Sequence, residues 1–158
     1  MSRTGGPDGP GGPWDREGPG PTGAAHLKEL PTPVCRRLLG EHVAGRVGFA
    51  ERGGPVILPV NYRPYGDGVV FRTSPTGVLS QLRRRTAVAF EVDGIDEAGQ
   101  SGWSVLGRGF AEVVTRDHQL TQLWQSGPTP WAQGTRNLFI AVTFESLTGR
   151  RVRGPWAD

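Results

Sequence analysis

Between Arg46 and Leu79 the chain reverses direction twice on glycine, which confines this region to antiparallel β structure. A first strand at Arg46-Val-Gly-Phe-Ala50 meets Gly53-Gly54, and the apolar run Val56-Ile-Leu-Pro-Val-Asn-Tyr62 returns from it. A second turn at Gly66-Asp67-Gly68 leads into Val69-Val-Phe-Arg-Thr73. Glycine-rich turns between β-branched runs are hairpin signals. The last strand then runs straight into a predicted helix over 75–84. Ser74 suits the N-cap, Pro75 the first helical position, and Val78, Leu79 and Leu82 supply an apolar stripe. A helix start presents free backbone N–H groups and partial positive charge. Arg72, Thr73 and Ser74 add side-chain donors at that spot, and the combination predicts a bound phosphate.

Further strands are expected at 86–93, 101–114 and 137–144, with short helices from Thr32-Pro33 to about Gly40 and over 116–125. Thr86, Val88, Phe90 and Val92 alternate with Ala87, Ala89, Glu91 and Asp93, so one face of that strand is apolar. Leu138, Ile140, Val142 and Phe144 make a similar row. Gly107 and Gly109 mark a point where a strand bends or admits another backbone. Hairpin-linked strands with few helices are the pattern of an antiparallel barrel, not of a doubly wound sheet. Pro59 removes a ladder hydrogen bond inside an apolar run. It marks an edge, a bulge, or a surface facing something other than a strand, and Asn61 shares its direction.

Composition narrows the function classes. Residues 1–25 hold eight Gly and five Pro, with Trp14 the one large apolar side chain, and read as a disordered tail ahead of a single domain over 26–158. No run of about 18 apolar residues is present, and the tail matches neither a signal nor a transit peptide. A cytoplasmic protein without a membrane span is expected. The single cysteine, Cys35, lies among Val34, Leu38 and Leu39 and reads as a buried, inert thiol. His26, His42 and His118 have no partner at ligand spacing, so no metal is expected. Net charge is +3, and the arginine clusters at 83–85 and 150–153 lack interleaved aromatics, which argues against nucleic acid.

Six segments, in order and spacing, resemble the pyridoxamine 5′-phosphate oxidase-like family of flavin-binding split barrels, particularly its small actinobacterial members. They are Val47-Gly-Phe49, Leu58-Pro-Val-Asn-Tyr62, Val70-Phe-Arg-Thr73, Ala89-Phe-Glu-Val-Asp93, Gly102-Trp-Ser-Val105 and Leu147-Thr-Gly-Arg-Arg151. The resemblance implies a mainly β, six-stranded antiparallel split β-barrel with short helices, dimeric, holding FMN in a groove at the subunit interface. It places Pro59, Val60 and Asn61 beside the isoalloxazine ring, and Phe71, Arg72, Thr73 and Ser74 along the ribityl and phosphate path. The backbone of Gly77, Val78 and Leu79 closes that path, and Trp103 and Ser104 approach from the fifth strand.

Val78 stands where related sequences commonly carry a lysine, which removes one phosphate cation and about 1.5–3 kcal/mol of a charge-assisted bond. The leading expectation is an FMN-binding homodimeric oxidoreductase acting on a small-molecule redox substrate. A deazaflavin-dependent reductase and a non-catalytic flavin-binding or ligand-binding protein are the alternatives. No general base is forced by the sequence: Glu91 and Asp93 read as solvated carboxylates. Flavin chemistry often needs none, because the cofactor carries the redox step.

Overall fold

The computed structural model describes residues 26–154, so the expected tail over 1–25 lies outside the described residues. The order of elements is β1 (His26–Glu29), α1 (Thr32–Glu41), β2 (Ala44–Glu51), β3 (Gly54–Tyr65), β4 (Gly68–Thr73), β5 (Thr86–Asp96), β6 (Ser101–Val113), α2 (Asp117–Ser126) and β7 (Leu138–Arg153). Six strands run β7-β4-β3-β2-β5-β6, and β6 pairs again with β7, closing an antiparallel barrel. β1 adds to the far end of β7, with Leu27 opposite Val152.

Alternation does what the sequence led us to expect. Val47, Tyr62, Val69, Phe71, Val88, Phe90, Val105, Ile140 and Val142 turn inward and make one core. Each fully buried side chain of that size stabilises by about 1.5–3 kcal/mol relative to exposure. Helix α1 starts at Thr32-Pro33 and joins this core through Cys35, Leu38 and Leu39, while the Tyr62 hydroxyl donates to the Leu39 carbonyl at 2.7 Å. Cys35 is fully buried. A second, smaller cluster lies outside the barrel, where Leu123 of α2 packs on Val70, Val114 and Phe139. Gly107 and Gly109 serve close approach: a Cβ at 107 would strike the Phe144 ring, and one at 109 the Thr143 carbonyl. The β6–β7 register shifts between Arg108 and Gly109.

Two differences from the expected elements matter. β7 continues nine residues past Phe144, to Arg153, because its second half finds partners in β6 and β1 that no local pattern announces. The predicted helix over 75–84 is instead a six-residue 3₁₀ turn, Val78–Arg83, preceded by Gly77 without a side-chain cap. Ser74 Oγ accepts from the Thr76 N–H at 3.3 Å, a local turn that competes with helix capping. The helix start argued for phosphate binding is therefore not formed.

Candidate functional site

β3 changes partner along its length. From Gly54 to Asn61 it pairs with β2, but its ladder with β4 runs only over Tyr62–Tyr65. The opposite edge of residues 54–61 thus lacks a strand neighbour among the described residues, and Pro59 sits within it. Of the edge, bulge or non-strand surface expected at Pro59, the ladders show an edge.

Side-chain direction sorts the candidate residues. Pro59 and Asn61 project outward, while Val60 and Tyr62 are buried inside the barrel. Tyr62 pairs with Phe71, so Asn61 and Arg72, one step further on each strand, both stand on the outer face. Phe71 and Thr73 turn inward and are almost wholly buried, leaving only their backbones for a ligand. Ser74 is half-buried, Gly77 and Val78 are exposed, and Leu79 packs against the core.

The outer face is wired to a segment far away in sequence, the connection from α2 to β7. Asn61 Oδ1 accepts the Trp131 N–H at 2.9 Å, and Arg72 Nε donates to the Arg136 carbonyl at 2.9 Å. The Arg72 guanidinium also lies 4.4 Å from the Trp124 ring centroid and 5.3 Å from that of Phe139. Asn61 and Arg72, both assigned to a ligand from sequence, thus hold the connecting segment across this face.

Two cavities flank the outer face. One, of about 370 Å³, is lined by His42, Val43, Ala44, Gly45, Arg46, Pro59, Asp93 and Trp131. The other, of about 480 Å³, includes Trp103, Ser104, Glu91, Asp93 and Arg150. Asp93 lines both, and the His42 ring stands 4.9 Å from that of Trp103, so the cavities are neighbours. Arg46 Nη1 donates to Asp93 Oδ1 at 2.5 Å, and this bond, with the carboxylate's charge, holds the guanidinium above its ordinary pKa. Burial pushes the Tyr62 phenol well above its ordinary value. Gly77, Val78 and Leu79 line neither cavity.

Sequence reasoning missed Trp131, Arg136, His42 and the pairing of Arg46 with Asp93. The last was legible once β2 and β5 were set side by side, since Arg46 lies opposite Glu91, two residues from Asp93. Among the described residues no group of three or more His, Cys, Asp or Glu is placed to hold a metal, and no helix is long and apolar enough to cross a membrane.

Comparison with known proteins adds a family. Residues 32–151 match the pyridoxamine 5′-phosphate oxidase family. The uncharacterized protein Rv0080 of Mycobacterium tuberculosis is 32% identical over 137 residues, covering 84% of this chain and 90% of its own. Among solved structures, the FAD binding protein from Mycobacterium smegmatis superposes with a TM-score of 0.67 at 27% identity, over 79% of this chain and 98% of that one. A conserved protein of unknown function from Corynebacterium diphtheriae gives 0.65 at 28% identity, over 78% and 96%.

Proposed function

The chain belongs to the pyridoxamine 5′-phosphate oxidase family, and from that premise we propose that it is a flavin-dependent oxidoreductase that binds FMN along the unpaired edge of β3. The observation that carries this reading is the edge itself. Backbone groups of residues 54–61 without a strand neighbour, beside outward Pro59 and Asn61, suit the flat, hydrogen-bonding rim of an isoalloxazine ring. The similarity to an FAD binding protein supports a flavin in general and makes FAD the second reading.

The ring end fits the residues present better than the phosphate end does. With Val78 exposed hydrocarbon and no helix start at Ser74, the phosphate relies on Arg72. That residue keeps its Nη groups for an anion while Nε stays on the Arg136 carbonyl. Phe71, Thr73 and Gly77 contribute backbone only. When bound, the flavin supplies the redox chemistry, and the protein supplies binding, orientation and electrostatics.

The protein works in the cytoplasm as a homodimer on a small-molecule redox substrate. Support for the dimer comes from the outer face of β2, β3, β5 and β6. There Gly48, Ala87 and Ala89 form a side-chain-poor patch with Ile57, 68% exposed, on one border and Arg108, opposite Ala89, on the other.

Titrating FMN, FAD, riboflavin and a deazaflavin coenzyme into one preparation, with sedimentation of the same sample, tests all of this. A shifted flavin absorption band with FMN bound most tightly is expected. Failure of every flavin at high micromolar concentration would sink the proposal, and tighter deazaflavin binding would replace its cofactor.

A further inference from the structure

The cavity of about 370 Å³ beside Pro59 has a construction of its own. Its floor is the outer surface of β2 and β3, where Ala44 and Pro59 raise no long side chain. Trp131 lines it from the connection between α2 and β7 and is 73% exposed. Arg46 and Asp93 close one end as an ion pair, and His42 stands nearby against Trp103. Lone exposed aromatics are ordinary on a protein surface. Trp131 differs because its main chain is fixed to β3 through Asn61 Oδ1 at 2.9 Å, two residues from the Pro59 that lines the cavity.

The segment carrying it is anchored again further on. Arg72 holds the Arg136 carbonyl, Arg136 Nε donates to the Ala132 carbonyl at 3.3 Å, and Pro128 is buried. An indole whose backbone is already immobilised loses less freedom when a ring stacks on it.

We propose that Trp131 is the stacking wall of the substrate subsite, and that this subsite takes a planar, uncharged ring with a carbonyl on its rim, such as a quinone. Planarity follows from the low, side-chain-poor floor on one side and the indole on the other. Lack of net charge follows from Arg46 and Asp93, which neutralise one another. Between them they still offer a donor and an acceptor to a polar rim. The proposal rests on the flavin reading, because Pro59 belongs to both the cavity and the unpaired edge where the cofactor is placed.

The experiment uses full-length protein loaded with FMN and measures binding of menadione, a naphthoquinone, by equilibrium dialysis. Cyclohexane-1,4-dione, which carries carbonyls without an aromatic face, is the control. Wild type is expected to prefer menadione. Trp131→Ala should weaken menadione binding about tenfold or more, as expected when a stacking platform is removed. Trp131→Phe should stay within about threefold, and FMN affinity and melting temperature should match wild type in both variants. Unchanged menadione binding in Trp131→Ala overturns the proposal. An equal loss of FMN affinity overturns it too, by turning Trp131 toward the cofactor. Wild type that binds no flavin overturns the flavin reading along with this one, so the two failures are distinguishable.

Discussion

The two faces of the β3–β4 ribbon, made from the same residues in alternation, are stabilised in different ways. Inside, Val60, Tyr62, Val69 and Phe71 meet other strands and α1 in a dry, continuous core. Outside, Asn61 and Arg72 bond the main chain of Trp131 and Arg136, more than 60 residues away, while Arg72 also lies against the Trp124 and Phe139 rings and Val70 packs under α2. The inner face depends on summed contact and resists change everywhere. The outer face combines a smaller apolar cluster at Val70 with a few directed bonds at Asn61 and Arg72, and these bonds can be exchanged for bonds to a ligand. A ribbon can thus be rigid scaffold and binding surface at once.

The strongest test of this contrast is deletion on the inner face. Phe71→Ala should cost about 3–5 kcal/mol in denaturant unfolding, since the ring is fully buried and a cavity is left behind. Arg72→Ala, its neighbour on the outer face, should cost about 1–3 kcal/mol. That range combines a partly desolvated cation–π contact with Trp124 and Phe139 and a hydrogen bond to Arg136. No local signal in the sequence reveals Trp124 or Arg136 as partners of Arg72. Arg72→Lys should recover little, for lack of the planar guanidinium. Equal losses at 71 and 72 would break the contrast.

How far each face was legible follows from the same distinction. Period-two alternation is a local property, so the inward residues of β5 and β7 could be read directly, as could the turns at Gly53-Gly54 and Gly66-Asp67-Gly68. The second half of β7 and its pairing with β1 were not, because Arg150–Arg153 carry no strand pattern of their own and are extended by their partners. Of the candidate site, Pro59 was informative because its missing N–H constrains any neighbour. Ser74-Pro75 misled because a serine beside a proline suits a local turn as well as a helix cap. Trp131 lies in a Pro/Gly-rich segment with no periodicity, and only the fold brings it to Asn61.

Tyr62 tests whether the inner face is purely apolar. Its phenol is buried, yet donates to the Leu39 carbonyl. Tyr62→Phe should cost about 0.5–1.5 kcal/mol near neutral pH, less than Phe71→Ala. The pH dependence sharpens the point. Burial raises the folded-state pKa above the ordinary value, so above about pH 10 the unfolded chain loses a proton that the native protein keeps. Wild-type stability should therefore fall as pH rises past that value. Chemical unfolding at pH 8 to 11 should show a shallower fall in Tyr62→Phe. Parallel curves for the two proteins would mean that the Tyr62 phenol ionises as readily in the native state as in the unfolded chain.

The smallest expected effect lies beside the ribbon, on the outer face of β2 and β5, at Arg46 and Asp93. Their side chains are 47% and 21% exposed, so water screens the attraction and two side chains lose freedom in making it. A double-mutant cycle of Arg46→Ala and Asp93→Asn should give a coupling of about 0–1 kcal/mol that shrinks further in molar salt. A coupling of several kcal/mol, insensitive to salt, would mean that this part of the outer face is covered in solution, most simply by a second copy of the chain. Repeating the cycle across a range of protein concentrations separates the two cases. An exposed pair gives the same small value throughout, whereas a pair buried between subunits gains coupling as the dimer forms. The pair then reports whether the outer face of β2 and β5, beside the ribbon, is open to solvent or shut against a partner.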